Sequence, residues 1–264
     1  MPRNVISTFN LDACSNCRSG CPLNPQNLQS DHQEAIAALV RHRSAATKGE
    51  EIYYQGEVSQ SFYIVSSGWV CLYVLLEDGR RQNVGFALPG DIIGYTADPK
   101  DELDHAAEAV CNVTLCTVDR ATASPVLVNQ PDLMHRINDY LVWKNMQTRQ
   151  LITSVARKTA IERVAYLFYE LFLRLNMRQP EAGDTMAVPL TQGDIGDAVG
   201  LSSVHVCRML SAMKSEGILA LRHGKLTIYD ADRLADLANL NAESFLSSCP
   251  LIRHLHTDEA RLAG

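Results

Sequence analysis

Three thiols fall within eight positions near the start of the chain, in the run Asp12-Ala13-Cys14-Ser15-Asn16-Cys17-Arg18-Ser19-Gly20-Cys21-Pro22. Thiolates are soft ligands that select zinc, copper(I) or iron–sulfur centres, and a Cys-Pro step is common beside the last of these. The Ser, Asn, Gly and Pro residues between and after them predict a loop able to curl round a small centre. Zinc sites and cubane clusters both take four ligands, so Cys14, Cys17 and Cys21 leave one position to be filled from elsewhere. Cys111 and Cys116 are candidates, five residues apart in a predicted strand Ala109–Val118. In a regular strand they point to opposite faces, and either can equally be a core thiol. Spacing does not choose between them.

A second group of residues suits nucleic acid. Leu190 to Leu210 contains two short helical patterns that meet at Gly200, one with an apolar stripe of Ile195, Ala198 and Val199, the other with Val206, Leu210 and Met213. Thr191, and Ser202 or Ser203, stand where N-cap oxygens should accept the orphan N–H groups of a first turn. Two short helices joined by a glycine-containing turn form the helix-turn-helix signature, for which an ordinary packed helix pair is the bland alternative. Between Leu201 and Ile228 the cations Arg208, Lys214, Arg222 and Lys225 face one acid, Glu216, although the whole chain carries a net charge of −6. That local excess suits a polyanion.

The rest of the chain must position these two groups. Its 264 residues, 46% hydrophobic and 20% charged, predict a globular protein of two domains or one large one. No apolar run of about 18 residues exists to span a membrane. The start of the chain lacks a basic, apolar leader, which predicts a cytoplasmic protein whose eight cysteines are not disulfides.

Asp31–Arg43 has helical spacing at Ile36, Leu39 and Val40. From Lys48 to Asp119 short strands alternate with glycine turns (Gly56, Gly68, Asp78-Gly79, Gly90, Gly94), predicting a barrel or jelly roll. A cupin enzyme would need clustered His and Glu ligands, and His105 is the sole histidine of that stretch, which argues against an iron oxygenase. Leu133–Val155 predicts a long helix, in which Ile137, Lys144 and Leu151, and Leu141, Thr148 and Val155, recur every seven residues as a weak coiled-coil seam. Glu162–Leu175 predicts an amphipathic helix, Leu221–Ile228 a small hairpin wing and Asp230–Leu240 a closing helix, with no clear structure in 241–264.

A glycine-punctuated barrel, a long helix and a winged helix-turn-helix, in that order, resemble the Crp–Fnr family of bacterial transcription regulators over residues 10–240. The resemblance rests on Tyr54-Gln55-Gly56-Glu57, Phe62–Gly68, Pro89-Gly90-Asp91, Leu190–Gly196 and Leu201–Arg208. It implies an α+β chain: a cysteine-rich sensor segment (1–30), a β-roll (31–130), a dimerisation helix (131–157), a winged helix-turn-helix (158–240) and a tail (241–264). It implies a homodimer that binds a palindromic promoter site on double-stranded DNA beside RNA polymerase, and not an enzyme.

Relatives that bind cyclic nucleotides carry an Arg-Ser pair after the Pro-Gly-Asp block. Here Ile92–Asp104 holds no arginine but Asp98, Asp101, Glu102 and Asp104, which would repel a cyclic phosphate. The N-terminal cysteines are instead similar to the Fnr branch, which implies an oxygen-labile [4Fe–4S] cluster on Cys14, Cys17, Cys21 and, by alignment of Leu115-Cys116-Thr117-Val118, Cys116. The gap between Cys17 and Cys21 is shorter than in that branch, so a structural zinc site, a thiol switch, or haem sensing through His105 are alternatives. In the reading helix Arg208 matches the arginine suited to guanine O6 and N7, whereas Val204 replaces a glutamate and cannot accept a hydrogen bond from cytosine. Ser203 and His205 complete the candidate contacts with Thr191 and Ser202.

Overall fold

The computed structural model describes residues 7–8, 39–178 and 183–250. Cys14, Cys17 and Cys21 lie outside the described residues. The barrel is built from two sheets. One has the strand order β1-β2-β9-β4-β7 (Ser7–Thr8, Val40–Ala46, Val113–Asp119, Ser61–Ser67, Ile92–Ile93), the other β3-β8-β5-β6 (Glu51–Tyr53, Ala106–Ala109, Val70–Leu75, Arg81–Ala87). All pairings are antiparallel. Alternate residues from both sheets meet inside the barrel: Tyr53, Val65, Val70, Ile93, Ala107, Ala109 and Leu115 are all buried in one cluster. Period-two alternation is what lets one face of each strand fill this space.

Two predictions about strands need correction. Val40–Arg43 is strand rather than helix, because pairing with β9 (Arg43↔Cys116, Ala46↔Val113) outweighs the local spacing. The predicted single strand Ala109–Val118 is two strands in different sheets, joined by a turn at Val110-Cys111-Asn112. Val110 N–H donates to Trp69 O at 2.9 Å, closing that crossover. Gly68 makes it possible: its φ is +82°, and a Cβ there would lie 2.3 Å from Asn112 O.

After the barrel come α1 (Arg120–Asn129), capped by Asp119, and α2 (Pro131–Arg157), 27 residues long. Among the described residues no helix is long and apolar enough to cross a membrane. Helix α2 buries Leu133, Ile137, Tyr140 and Trp143 while Met134, Leu141, Val142 and Ile152 stay exposed. The predicted seam is therefore divided. Ile137 is 1% exposed within its own chain, and Lys144 and Leu151, half-buried, line a partly open cleft of about 370 Å³ between the barrel, α2 and the next helix, whereas Leu141 and Thr148 face outward.

Helix α3 (Ala160–Arg178) is the core of the C-terminal domain, burying Val164, Ala165, Phe168 and Leu171 completely. Around it lie α4 (Gln192–Val199), α5 (Ser203–Ser215), α6 (Ala231–Ala238) and the wing. The wing is a sheet β10-β12-β11 (Thr185–Ala187, Lys225–Ile228, Leu219–Arg222). The segment after Leu240 is not wholly without structure: α7 (Ala242–Ser247), capped by Asn241, buries Phe245 against Trp143, ring centroids 6.1 Å apart. Cys249 is fully buried beyond it.

Candidate nucleic-acid interface and sensor site

The helix-turn-helix is assembled almost entirely from local bonds. Thr191 Oγ1 accepts from Asp194 N–H at 3.1 Å, and Asp194 Oδ2 accepts from Thr191 N–H at 2.8 Å, a reciprocal capping box. Thr191 Oγ1 also donates to Asp194 Oδ2 at 2.7 Å, so the hydroxyl is committed to the cap. Gly200 ends α4 with φ +67°, ψ 40°, the left-handed conformation that a C-terminal glycine serves best. The turn passes close: a Cβ on Gly196 would lie 2.4 Å from Leu201 O, whose residue donates its N–H to Gly196 O at 3.0 Å. Ser202, not Ser203, caps α5 through His205 N–H at 3.3 Å.

Helix α5 turns Val206 and Met213 inward and leaves Ser203, Val204, His205, Cys207 and Arg208 exposed on one end and face. Ser203, Val204, His205 and Arg208 are thus brought together on an accessible surface, with Ser202 at its base. Sequence reasoning left Cys207 out of this group, although its spacing three residues after Val204 on a helix was the available signal. The wing turn at His223-Gly224, with φ 50° and 71°, sets Arg222 and Lys225 at the tip of a tight hairpin.

On the barrel, the two candidate fourth ligands occupy different surroundings. Cys111 sits in the crossover turn, where its Sγ accepts from Trp69 N–H at 3.3 Å. Cys116 lies in the middle of β9, 6% exposed, opposite Arg43 of β2, and Arg43 is in turn opposite Ser7 of β1. The N-terminal strand therefore runs two strands away from Cys116, roughly 10 Å at the usual interstrand spacing. Among the described residues no group of three or more His, Cys, Asp and Glu side chains is arranged to hold a metal ion.

His105 has both ring nitrogens engaged, Nε2 with Tyr53 Oη at 2.9 Å and Nδ1 with Asp104 Oδ1 at 2.5 Å. A haem ligand needs one of them free. The barrel also holds a second histidine, His42 on β2, which the helical reading of Val40–Arg43 concealed. Cys71 is buried on β5, and burial pushes its thiol pKa up to about 12.

The reading unit and the barrel are joined by long-range polar contacts. Arg174 on α3 donates to Phe86 O at 3.1 Å and to Glu170 Oε1 at 3.0 Å, and pairs with Asp91 of the Pro89-Gly90-Asp91 turn. Asp91 is fully buried and also accepts from Leu88 N–H at 2.9 Å. Burial opposes the Arg174 charge, but the Glu170 and Asp91 carboxylates more than offset it and hold its pKa above the ordinary arginine value. On β6, Asn83 Nδ2 donates to Asp194 O at 2.9 Å and Gln82 Nε2 to Asp197 O at 2.6 Å, so α4 rests on the barrel.

The Crp-like helix-turn-helix domain family matches residues 162–237, and the cyclic nucleotide-binding domain family matches residues 44–128. The nitrogen fixation regulation protein FixK of Bradyrhizobium diazoefficiens is 33% identical over 237 residues, covering 90% of this chain and 98% of that one. The chain belongs to the Crp–Fnr family. It is a DNA-binding transcription regulator and not an enzyme, from a family that binds DNA and acts as dimers. The fumarate and nitrate reduction regulatory protein of Vibrio cholerae is 25% identical over 231 residues, 88% of this chain and 92% of that one. Among solved structures, FixK2 from Bradyrhizobium japonicum superposes with a TM-score of 0.67 at 30% identity, covering 75% of this Crp–Fnr chain and 98% of FixK2.

Proposed function

We propose that this Crp–Fnr regulator senses oxygen or redox state through a [4Fe–4S] cluster held by Cys14, Cys17, Cys21 and Cys116. The observation that carries the reading is the register Ser7↔Arg43↔Cys116, which sets the N-terminal strand level with Cys116 with only β2 between them. Cys14 is six residue steps on from Thr8, a reach of up to about 20 Å, enough to bring the three thiols over that part of the sheet. Cys111 is five residues up the chain from Cys116 and its sulfur already accepts a backbone hydrogen bond. When bound, the cluster supplies an oxidisable link between the loop and the barrel. The chain's own part is to hold the loop edge in register through β1 and to keep Cys116 shielded from water between β2 and β4. The engaged nitrogens of His105 argue against haem, and the acids Asp98, Asp101, Glu102 and Asp104 against a cyclic nucleotide.

The dimer forms through α2, but along a different seam from the one the sequence suggests. Met134, Leu141 and Thr148 recur at d-type spacing and Asn138, Asn145 and Ile152 at a-type spacing, and all six are exposed. Asn at a positions fixes register and a two-stranded state while reducing stability, which suits an association that a sensor can bias. Val155, half-buried beside Gly200, sits at the hinge to the reading domain, and Ile137, Lys144 and Leu151 hold α2 to its own barrel and α3. The two-fold pairing presents two α5 helices to half-sites one helical turn apart in a palindromic promoter, next to RNA polymerase. In each, Arg208 reads guanine, Ser203 and His205 contact base or phosphate, and Thr191 and Ser202 hold the geometry. The division into 1–30, 31–130, 131–157, 158–240 and 241–264 and a cytoplasmic location go with this reading.

The test is anaerobic purification of the full chain. A brown protein with visible absorbance that bleaches in air, and stoichiometric iron and sulfide, is expected. A colourless protein with bound zinc overturns the cluster and leaves the structural zinc site in its place.

A further inference from the structure

The reading face of α5 has an unusual centre. At about 100° per residue, the buried stripe Val206 and Met213 points one way and Val204 points the opposite way, with Arg208 and Cys207 on either side of it, four and three residues on. Val204 is 61% exposed, an apolar β-branched side chain at the middle of a surface built to meet DNA. Cys207 is exposed beside it and adds a second weakly polar group. Neither side chain is a useful hydrogen-bond acceptor for a base edge. In the major groove the one apolar feature a base pair offers is the C5 methyl of thymine.

We propose that Val204 and Cys207 form an apolar strip that selects thymine by its methyl group, next to the guanine read by Arg208. The inference rests on α5 being the helix that enters the major groove. Residues one helical turn apart have Cβ atoms roughly 5–6 Å apart, and successive base pairs rise 3.4 Å, so the selected thymines lie within about two base steps of that guanine. The arrangement divides the work. Arg208 supplies charge-assisted, bidentate recognition, and the apolar strip adds discrimination only where a methyl fills it. Water left between Val204 and a cytosine or uracil edge gains nothing from the valine, and the base edge loses its own hydration.

The test uses the full chain, purified anaerobically, and a library of synthetic duplexes with a randomised half-site. The selected sites should hold a guanine with at least one thymine within two base steps in each half. Replacing that thymine with deoxyuridine removes only the methyl. It should weaken binding about fourfold for one half-site and about fifteenfold for both. Val204→Ala should cause a similar loss, with thermal unfolding unchanged because the residue is exposed, and should make the duplex nearly indifferent to the thymine-to-deoxyuridine change. Val204→Ile should keep that sensitivity, and Cys207→Ser should reduce it by a smaller factor. If Arg208→Ala abolishes binding but no thymine-to-deoxyuridine change matters, Arg208 remains the guanine reader and the apolar strip is overturned. If neither Arg208→Ala nor deoxyuridine alters binding to the selected duplex, the placement of α5 in the groove itself fails.

Discussion

Thr191 and Asp194, which fix the start of the helix-turn-helix, are three residues apart, whereas Arg174 and Asp91, which fix that unit to the barrel, are 83 residues apart. The same contrast runs through both ends of the molecule. Ser202 caps α5 through His205, and Leu201 bonds to Gly196. In the barrel, Ser44 Oγ meets Thr117 Oγ1 across 73 residues and Tyr53 meets His105 across 52. The reading surface is thus a local object that a short sequence specifies by caps, a glycine and one apolar stripe. The proposed sensing surface is a product of topology, since Cys116 acquires its neighbours only when β2 and β4 pair on either side of β9. A regulator needs both. A reading helix should not change shape with the signal, and a sensor must link distant parts of the chain.

The largest test of this contrast is all-or-none. Cys116→Ala should abolish iron retention and visible absorbance in anaerobically prepared protein, while Cys111→Ala keeps both. The reverse pattern would place the sensor at the crossover turn instead of the middle of β9.

Next is the joint between the two regions. Arg174→Met leaves the fully buried Asp91 without its cation, and loss of one partner of a buried pair costs about 3–5 kcal/mol. Urea unfolding followed by fluorescence should show that loss. A change below about 1 kcal/mol would mean that the barrel and the reading unit are stabilised independently.

Arg208→Ala should weaken DNA binding by about 1–3 kcal/mol per half-site, if it reads guanine as proposed, with no change in unfolding free energy, because its side chain is exposed. Thr191→Ala should act the other way round. Losing the capping box costs about 1 kcal/mol of stability, read as a lower unfolding midpoint, with a smaller effect on DNA affinity. Binding loss without destabilisation would make the Thr191 hydroxyl a phosphate contact rather than a cap.

The smallest effect is chemical. Cys207 should be alkylated by iodoacetamide at pH 8 in the folded protein, and its modification should be blocked by bound DNA. Cys71, buried and with its pKa raised to about 12, keeps its proton at that pH and should stay unmodified until unfolding.

Legibility followed the same division. The helix-turn-helix, its caps, the wing hairpin and the closing helix are readable because each signal lies within one turn or one hairpin of its partner. The errors all involve tertiary context. Val40–Arg43 has helical spacing yet is a strand because β9 supplies its hydrogen bonds. Val110–Asn112 looks like the middle of a strand yet crosses between sheets, which depends on Gly68 lying against Asn112. Helix α7 is only six residues long, too short for periodicity to register, and it exists because Phe245 finds Trp143. The spacing of α2 is that of a helix, but periodicity cannot say which stripe faces its own barrel. Ile137 is core, and the exposed stripe runs through Met134, Leu141 and Ile152.

By itself, then, the sequence determined the family's order of parts, the reading helix with Arg208 and its departure at Val204, and the thiols available for a sensor. Those properties depend on residue type and short spacing, which covalent geometry fixes before any fold forms. Only the tertiary structure decided which cysteine of the barrel shares a register with the N-terminal strand across β2, which face of α2 is left exposed, and that Arg174 joins the two domains. Each of these depends on strand register or helix packing between segments tens of residues apart, and the pattern within either segment does not encode its partner.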